Sequence, residues 1–495
     1  MAAREQGGRH DTVVLGVDSS TQSTKVLAVD AGSGRVLARA QAPHTVSTGA
    51  GRETDPEVWW SALQDALGRI APYAEQAAAV SVGGQQHGLV VLDGRGRPLR
   101  PALLWNDVRS APQAQALVER HGARWWAERF GSVPGASFTV AKWEWLRAHE
   151  PEVAAAARAV RLPHDFLTER LSGAAVTDRG DVSGTGWWES AGETYDEALL
   201  DEVGLDPKLL PAVLGPGEAA GTVREAVGIR PGALVGAGTG DNAAAALGLG
   251  LAPGQAVLSL GTSGTVYAAA RRRPTDASGT VAGFAAADGG WLPLACTLNC
   301  TLAVDKVAAL LGRDREQVEP GGSVAFLPFL DGERTPNLPY ASGLLTGLRH
   351  DTSAGQVLQG AYDGAVYALL AALGLVLAVD VPPGGTSPVS PRADAPLLLI
   401  GGGARGAAWL HTVRRLSGRA VQVPAAGELV ALGAAVQAAS LLTGKAPTAI
   451  ADRWGTREGA LLPALPRDEA ALARLAAALP LASSTTGLDL DHLEP

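Results

Sequence analysis

Two short segments, far apart in the chain, limit what it can fold into more than any other feature. One is Asp18-Ser19-Ser20-Thr21-Gln22-Ser23-Thr24-Lys25; the other is Ser259-Leu260-Gly261-Thr262-Ser263-Gly264-Thr265. Each follows an apolar run that reads as a strand, residues 13–17 and 256–258, and each resumes as a second β-branched run. The residues between are small and hydroxylated, which suits a tight hairpin turn whose N–H and hydroxyl groups face an anion. A chain that makes this turn twice is expected to clasp a polyphosphate between two related lobes. An ATP-using enzyme is therefore the first reading. The plainer alternatives are an ordinary hairpin at each place and an Asx-type cap at Asp18.

The order of elements supports a repeat. Strands are predicted at 13–17, 25–29 and 36–39, with Asp30-Ala31-Gly32-Ser33-Gly34 turning between the last two. A helix follows over 56–70, with Thr54 or Asp55 as its cap and Pro56 in its first turn. Strands at 79–82 and 89–92 flank Gly-Gly-Gln-Gln-His-Gly. The second half opens with a hairpin of 256–260 and 265–269, then gives a long helix over 354–379 and a buried strand at 397–400. A helix at 407–416, a strand at 421–423 and a small-residue helix at 429–442 complete it. This succession in both halves predicts a duplicated α/β fold, although the halves share almost no identity. The expected domains are 1–249 and 250–445, with 446–495 as a tail that carries a short helix signal at 469–479. Residues 382–388, Pro-Pro-Gly-Gly-Thr-Ser-Pro, are expected to form a surface loop.

Bulk properties exclude several classes. A chain of 495 residues suits two or three domains. A net charge of −9, with no run of five or six like charges, argues against a nucleic-acid partner. Cys296 and Cys300 lack further ligands at zinc-site spacing, so they are expected as free thiols in a reducing compartment. Residues 1–10 are polar and basic, unlike a signal peptide. The apolar stretch 364–379 falls short of the roughly 20 residues of a membrane span and is expected as a buried helix. A soluble, cytoplasmic protein with no membrane partner is expected.

Five groups of residues carry the chemistry. Asp18 ends a strand, where a carboxylate holds Mg²⁺, usually through water, while Thr21 and nearby N–H groups meet phosphate. Gly261 and Gly264 let the backbone approach an anion, and Thr262 and Ser263 add hydroxyls. Gly236-Ala237-Gly238-Thr239-Gly240-Asp241-Asn242 lacks the third glycine and the later acidic residue of a dinucleotide fingerprint. It puts Asp241 at a helix N-terminus in a glycine-rich clearing, where helix amides keep it ionised beside a substrate. That suits a phosphoryl-transfer base; simple N-capping is the alternative, and the two are compatible. Gly401-Gly402-Gly403-Ala404-Arg405 leaves bare backbone for a purine or ribose, or simply starts a helix. Gln85-Gln86-His87-Gly88 and Leu104-Trp105-Asn106-Asp107 offer amides, an imidazole and a carboxylate to a polyol. No G-x-x-x-x-G-K-[ST], H-R-D, D-F-G or G-x-S-x-G sequence occurs.

Taken together, these segments resemble the FGGY family of carbohydrate kinases, whose superfamily includes actin and the heat-shock chaperone ATPases. The resemblance runs in order from about Val13 to Leu442 and includes Phe329-Leu330-Asp331-Gly332-Glu333-Arg334-Thr335-Pro336. Within the family, the pattern is most similar to the members that phosphorylate D-xylulose. The resemblance implies two actin-like, ribonuclease H-like α/β lobes with the active site in the cleft between them: a sugar-binding, catalytic N-terminal lobe and a nucleotide-binding C-terminal lobe. It implies ATP and Mg²⁺, with Asp241 as the base that takes the proton of the sugar's C5 hydroxyl. By the same resemblance Gln86, His87, Trp105, Asp241 and Asn242 hold the sugar, and Asp18 serves the metal. Thr21, Gly261, Thr262 and Ser263 meet the phosphates, and Gly402, Gly403 and Ala404 the adenosine end. Ser20 and Gln86 depart from the commonest pattern, which has Gly and Met there. The expected partner is a small sugar, a homodimer is an allowed assembly, and lobe closure on the sugar is expected to expel water. The competing readings are a kinase for ribulose, gluconate, glycerol or another polyol, and a non-catalytic nucleotide-binding regulator.

Overall fold

The computed structural model describes residues 12–45, 51–225, 228–381 and 395–484. The first ten residues, the loop expected at 382–388 and the acidic end of the chain lie outside the described residues. The chain forms two compact units. The first holds the chain up to Leu251, then Phe284–Gly290 and Ala426–Arg457; the second holds Ala252–Gly283, Trp291–Ala425 and the chain from Glu458.

The first unit is built on one mixed sheet. Its strands are β1 (Val13–Ser19), β2 (Ser23–Asp30), β3 (Val36–Pro43), β4 (Ala79–Gly84), β5 (Ala219–Thr222), β6 (Leu234–Gly236) and β7 (Thr239–Gly240). They lie in the order β5-β6-β4-β1-β2-β3, with β7 joining β4. β1 to β3 form an antiparallel meander, whereas β4 runs parallel to β1, and β6 and β7 run parallel to β4. β1 is buried along its whole length because both faces are covered. Val13, Leu15 and Val17 join Trp59, Leu63 and Leu67 of the helix Pro56–Arg69, while Val14 meets Ala431, Leu432 and Ala435 of the helix Leu429–Thr443. That explains an uninterrupted apolar strand where a half-exposed one would alternate.

The second unit repeats the plan with β8 (Ala256–Leu260), β9 (Gly264–Ala268), β10 (Ala282–Ala285), β11 (Trp291–Thr297), β12 (Leu397–Ile400), β13 (Val421–Pro424) and β14 (Gly459–Leu462). Their order is β10-β11-β9-β8-β12-β13-β14. Read outward from each meander, β3-β2-β1-β4-β6 corresponds to β11-β9-β8-β12-β13. In both, two parallel strands follow three antiparallel ones, and an antiparallel strand, β5 or β14, closes the edge. The long helix is Ala354–Ala378, opened by a capping box of Ser353 and Gln356. It is long and apolar enough to cross a membrane, yet Leu358, Tyr362, Val366 and Leu369 are buried in the core of this unit.

Two features differ from a division in chain order. The helix Leu429–Thr443 packs in the first unit, although the sequence places it at the end of the second half. The residues expected as a tail are also divided. The helix Pro447–Trp454 adds Ile450 and Ala451 to the first core, and the Trp454 indole N–H donates to the carbonyl of Ala31 at 3.3 Å. β14 extends the second sheet, and the helix Glu469–Ser484 buries Ala471 and Leu475. Both features depend on long-range contacts that local periodicity does not report.

Candidate active site

Strand direction gathers the first set of candidates. β1, β4 and β7 are parallel, with Ser19 opposite Gly84 and Gly84 opposite Gly240, so their carboxyl ends lie side by side. Each strand then turns through a singled-out segment: Asp18 to Thr21 after β1, Gln85 to His87 after β4, and Asp241 and Asn242 after β7. The carboxyl edge of a parallel sheet is where open α/β folds bind ligands.

Asp18 is buried at the end of β1, opposite Lys25 of β2. Its carboxylate accepts from the Ser20 hydroxyl and lies 3.6 Å from the Lys25 ammonium, which also pairs with Glu428 at 2.7 Å. Burial holds the Asp18 carboxyl above the usual range; Ser20 and Lys25 pull against that, and Glu428 adds to it. Asp241 is the first residue of the helix Asp241–Leu249. It accepts from the Asn242 backbone N–H at 2.8 Å and from its side-chain amide at 3.1 Å. Burial, and then the charge of Asp18, push Asp241 up to about 7. The helix amides do not dominate at this position, contrary to the expectation of a fully ionised carboxylate; desolvation and a second acid outweigh them.

The other first-unit candidates connect to this pair. The Asn242 amide donates to Gln86 Oε1 at 2.8 Å, so Gln86, Asn242 and Asp241 form one chain of hydrogen bonds. The Trp105 indole, 42% exposed, donates to the Thr21 hydroxyl at 3.2 Å. Thr21 in turn lies 3.4 Å from Gln85 Oε1. His87 is buried with φ of 61°. Its ring stacks on Phe138 at 5.7 Å and meets Phe284 at 5.0 Å, and a side chain at Gly184 would collide with it. Asp107 differs from its expected role: its carboxylate accepts from the N–H groups of Arg52 and Arg109 and from the Arg109 guanidinium, so it fixes the loop.

In the second unit, β8 and β12 are parallel, with Ser259 opposite Ile400, so the turns after them are neighbours. Gly261, Thr262 and Ser263 form the turn to β9. The helix Thr301–Leu310 anchors this turn: the Thr301 hydroxyl donates to the Gly261 carbonyl at 2.7 Å, and its N–H does so at 3.1 Å. After β12, Gly401 has φ of 86°, and a side chain there would strike the Leu260 carbonyl at 2.8 Å. Gly403 and Ala404 are buried against Leu260 and the helix, whereas a side chain at Gly402 would meet open space.

Two groups had no role in the sequence reading, although the first lies in a segment that carries the family resemblance. Glu333, buried, accepts from the N–H groups of Leu298, Asn299 and Arg334 and so fixes the approach to Thr301. The second group is a set of buried acids around His164. No spacing rule links residues 87, 164, 178, 181 and 239; only the fold brings them together. Both cysteines are free thiols, and among the described residues no three or more His, Cys, Asp or Glu side chains are arranged to hold a metal ion.

Comparison with known proteins places this arrangement. Residues 13–248 match the N-terminal domain of the FGGY family of carbohydrate kinases, and residues 256–442 match its C-terminal domain. A xylulose kinase of Streptomyces rubiginosus is 67% identical over 482 residues, covering 96% of this chain and 98% of that protein. One from Streptomyces coelicolor is 67% identical over 94% of this chain and 96% of its own. The crystal structure of xylulose kinase from Bifidobacterium adolescentis superposes with a TM-score of 0.82 at 34% identity, covering 95% of this chain and 99% of that one. Two sheets of one topology, each with a small-residue turn at its carboxyl edge, thus agree with the sequence match along both halves, and the chain belongs to the FGGY family of carbohydrate kinases.

Proposed function

We propose that this chain transfers the γ-phosphoryl group of ATP to the C5 hydroxyl of D-xylulose, giving D-xylulose 5-phosphate and ADP. The 67% identity to two xylulose kinases along nearly the whole chain carries the choice of sugar. The fold alone does not choose it, because a gluconate kinase at 20% identity and a glycerol kinase at 17% share it.

In this reading Asp241 takes the proton of the attacking hydroxyl. At about 7, its carboxyl is basic enough to accept that proton and is ionised in a large fraction of molecules near neutral pH. The Asn242 amide, bonded to both Gln86 and Asp241, fixes the orientation of the base. Gln86, His87, Asn242 and Trp105 hold the sugar. Thr21 and the turn Gly261-Thr262-Ser263 meet phosphate oxygens, and Gly402, Gly403 and Ala404 accommodate adenosine. The new bond joins the sugar oxygen to the γ-phosphorus as the bond to the β-phosphate oxygen breaks. The sugar proton goes to Asp241, and the pair of electrons from the broken bond leaves with ADP.

The residues at Asp18 fit Mg²⁺. A buried carboxylate at the sheet edge, close enough to a second carboxylate to raise its affinity for protons, is a hard oxygen donor, and the Lys25 ammonium beside it is shared with Glu428. Asp18 would hold the ion, which when bound neutralises charge on the phosphates. A coupled assay of ADP release with MgATP and D-xylulose, D-ribulose, L-ribulose, gluconate or glycerol tests the sugar. Preferred turnover of D-xylulose is the expected result. Preferred turnover of another polyol would discard the sugar and leave the kinase.

A further inference from the structure

Beneath the turns that carry His87 and Asp241, the first unit buries an imidazole among three carboxyl groups. His164 Nε2 lies 3.3 Å from Asp165, 3.4 Å from Asp181 and 3.5 Å from Asp178. His164, Asp165 and Asp181 are fully buried, and Asp178 is 3% exposed.

Each acid has a second attachment. Asp181 Oδ1 accepts from the His87 backbone N–H at 3.3 Å and lies 3.3 Å from His87 Nδ1. Asp178 accepts from the Thr239 hydroxyl at 2.7 Å, two residues before Asp241, and from the N–H groups of Gly180 and Asp181. Asp165 accepts from the Leu162 N–H at 2.8 Å and closes the first turn of its own helix. The imidazole itself touches both turns. A side chain at Gly84 would strike the His164 Cβ at 2.9 Å, and one at Gly238 would strike Nδ1 at 2.7 Å. Both the segment leading to Gln86 and His87 and the segment leading to Asp241 therefore rest on His164.

We propose that His164, as an imidazolium, joins Asp178 and Asp181 into a positioning cluster that holds His87 and Asp241 at a fixed separation. The proposal rests on the assignment of Asp241 as the base and His87 as a sugar contact. Three carboxylates without a cation would be prohibitive in a dry interior, and removing one partner of such a group leaves the others unpaired. The groups facing the imidazole are Asp165, Asp178 and Asp181, with His87 beyond Asp181 and Arg161 behind Asp165. Burial opposes charge on His164, yet the three acids outweigh it and raise its affinity for protons. Burial also pushes Asp181 well up, so the cluster as a whole retains protons. Imidazole is the more basic group, so it takes the first of them.

The test compares His164→Gln with His164→Lys, which restores a cation, and with Asp181→Asn. If the cluster sets the geometry, His164→Gln raises KM for D-xylulose and lowers kcat, each by about tenfold or more, because small misplacements of reacting groups are costly. KM for MgATP stays within about twofold of wild type, and His164→Lys recovers part of the loss. Wild-type sugar kinetics in a folded His164→Gln variant would overturn the proposal, as would equal loss of function toward both substrates. Nitrogen-15 spectra of histidine-labelled wild-type enzyme give a test that requires no variant. A histidine that stays an imidazolium above the pH at which the other histidines have lost their protons is expected, and one that titrates with them or below them would overturn the proposal. Asp241→Asn, measured alongside, separates the two ideas: if it is active, the base assignment fails; if it is inactive while His164→Gln is normal, only the cluster fails.

Discussion

Asp241 is under two opposing demands. In the proposed reaction, desolvation and the neighbouring Asp18 suit it to act as a base near neutrality, but the same surroundings disfavour its ionised form in the folded chain. Its folded value of about 7 exceeds the ordinary 3.8, so the protonated carboxyl is the better-tolerated form. That stability is fully present below about pH 3.8 and is lost as pH rises through about 7. Two results follow. The acid limb of kcat/KM for the sugar should fall at an apparent pKa near 7, read from a pH profile at limiting sugar. Asp241→Asn should be more stable than wild type near pH 8, by about 1–2 kcal/mol once its partial exposure is allowed for, and the gap should narrow toward pH 4. Denaturant titrations at the two pH values check this. Asp241 was legible in the sequence because its glycines and its helix are contiguous with it. His164 and Asp181 were not, since the residues they touch, Gly84 and Gly238 for His164 and His87 for Asp181, are distant in the chain.

The elements that carry the site are held by close backbone approach. A side chain at Gly433 would lie 1.7 Å from the Ala244 carbonyl, and one at Gly16 would lie 1.8 Å from the Ala431 carbonyl. The helix Leu429–Thr443 is therefore wedged between β1, whose end carries Asp18, and the helix that begins with Asp241. Its Gln437 also bonds the Ser81 hydroxyl of β4 and the Gly238 carbonyl at 3.2 Å. Gly433→Ala should cost about 1–3 kcal/mol through overpacking and lower kcat as it shifts Asp241, read by thermal melts and steady-state rates. Ser353→Ala serves as a contrast. It removes the cap of the helix Ala354–Ala378, should cost about 1 kcal/mol, and should leave kcat unchanged. The hairpins, the helix Pro56–Arg69 and the small-residue helix were legible from local pattern. The helices Ala111–His121, Ala123–Phe130 and Thr139–His149 were passed over; their burial depends on clustered tryptophans and on neighbours far along the chain.

Across the whole molecule, one strand plan is used twice, and each copy puts a small-residue turn at its carboxyl edge. The duplication was readable as a succession of elements. The return of residues 426–457 to the first unit was not, because it depends on which sheet face lacks a cover. Residues 447–484 are structural in both units, so ending the chain at Lys445 would remove β14 and the helix Glu469–Ser484 and uncover Val421, Leu327 and Phe329. Such a truncation should aggregate or melt at a markedly lower temperature, which solubility and calorimetry would show. The proposed mechanism turns on Asp241 as the base of a D-xylulose kinase. Its most direct test is the single-turnover rate of Asp241→Asn at saturating MgATP and D-xylulose. A fall of about 10²–10⁴-fold with sugar binding retained is predicted; a rate within about tenfold of wild type would contradict it.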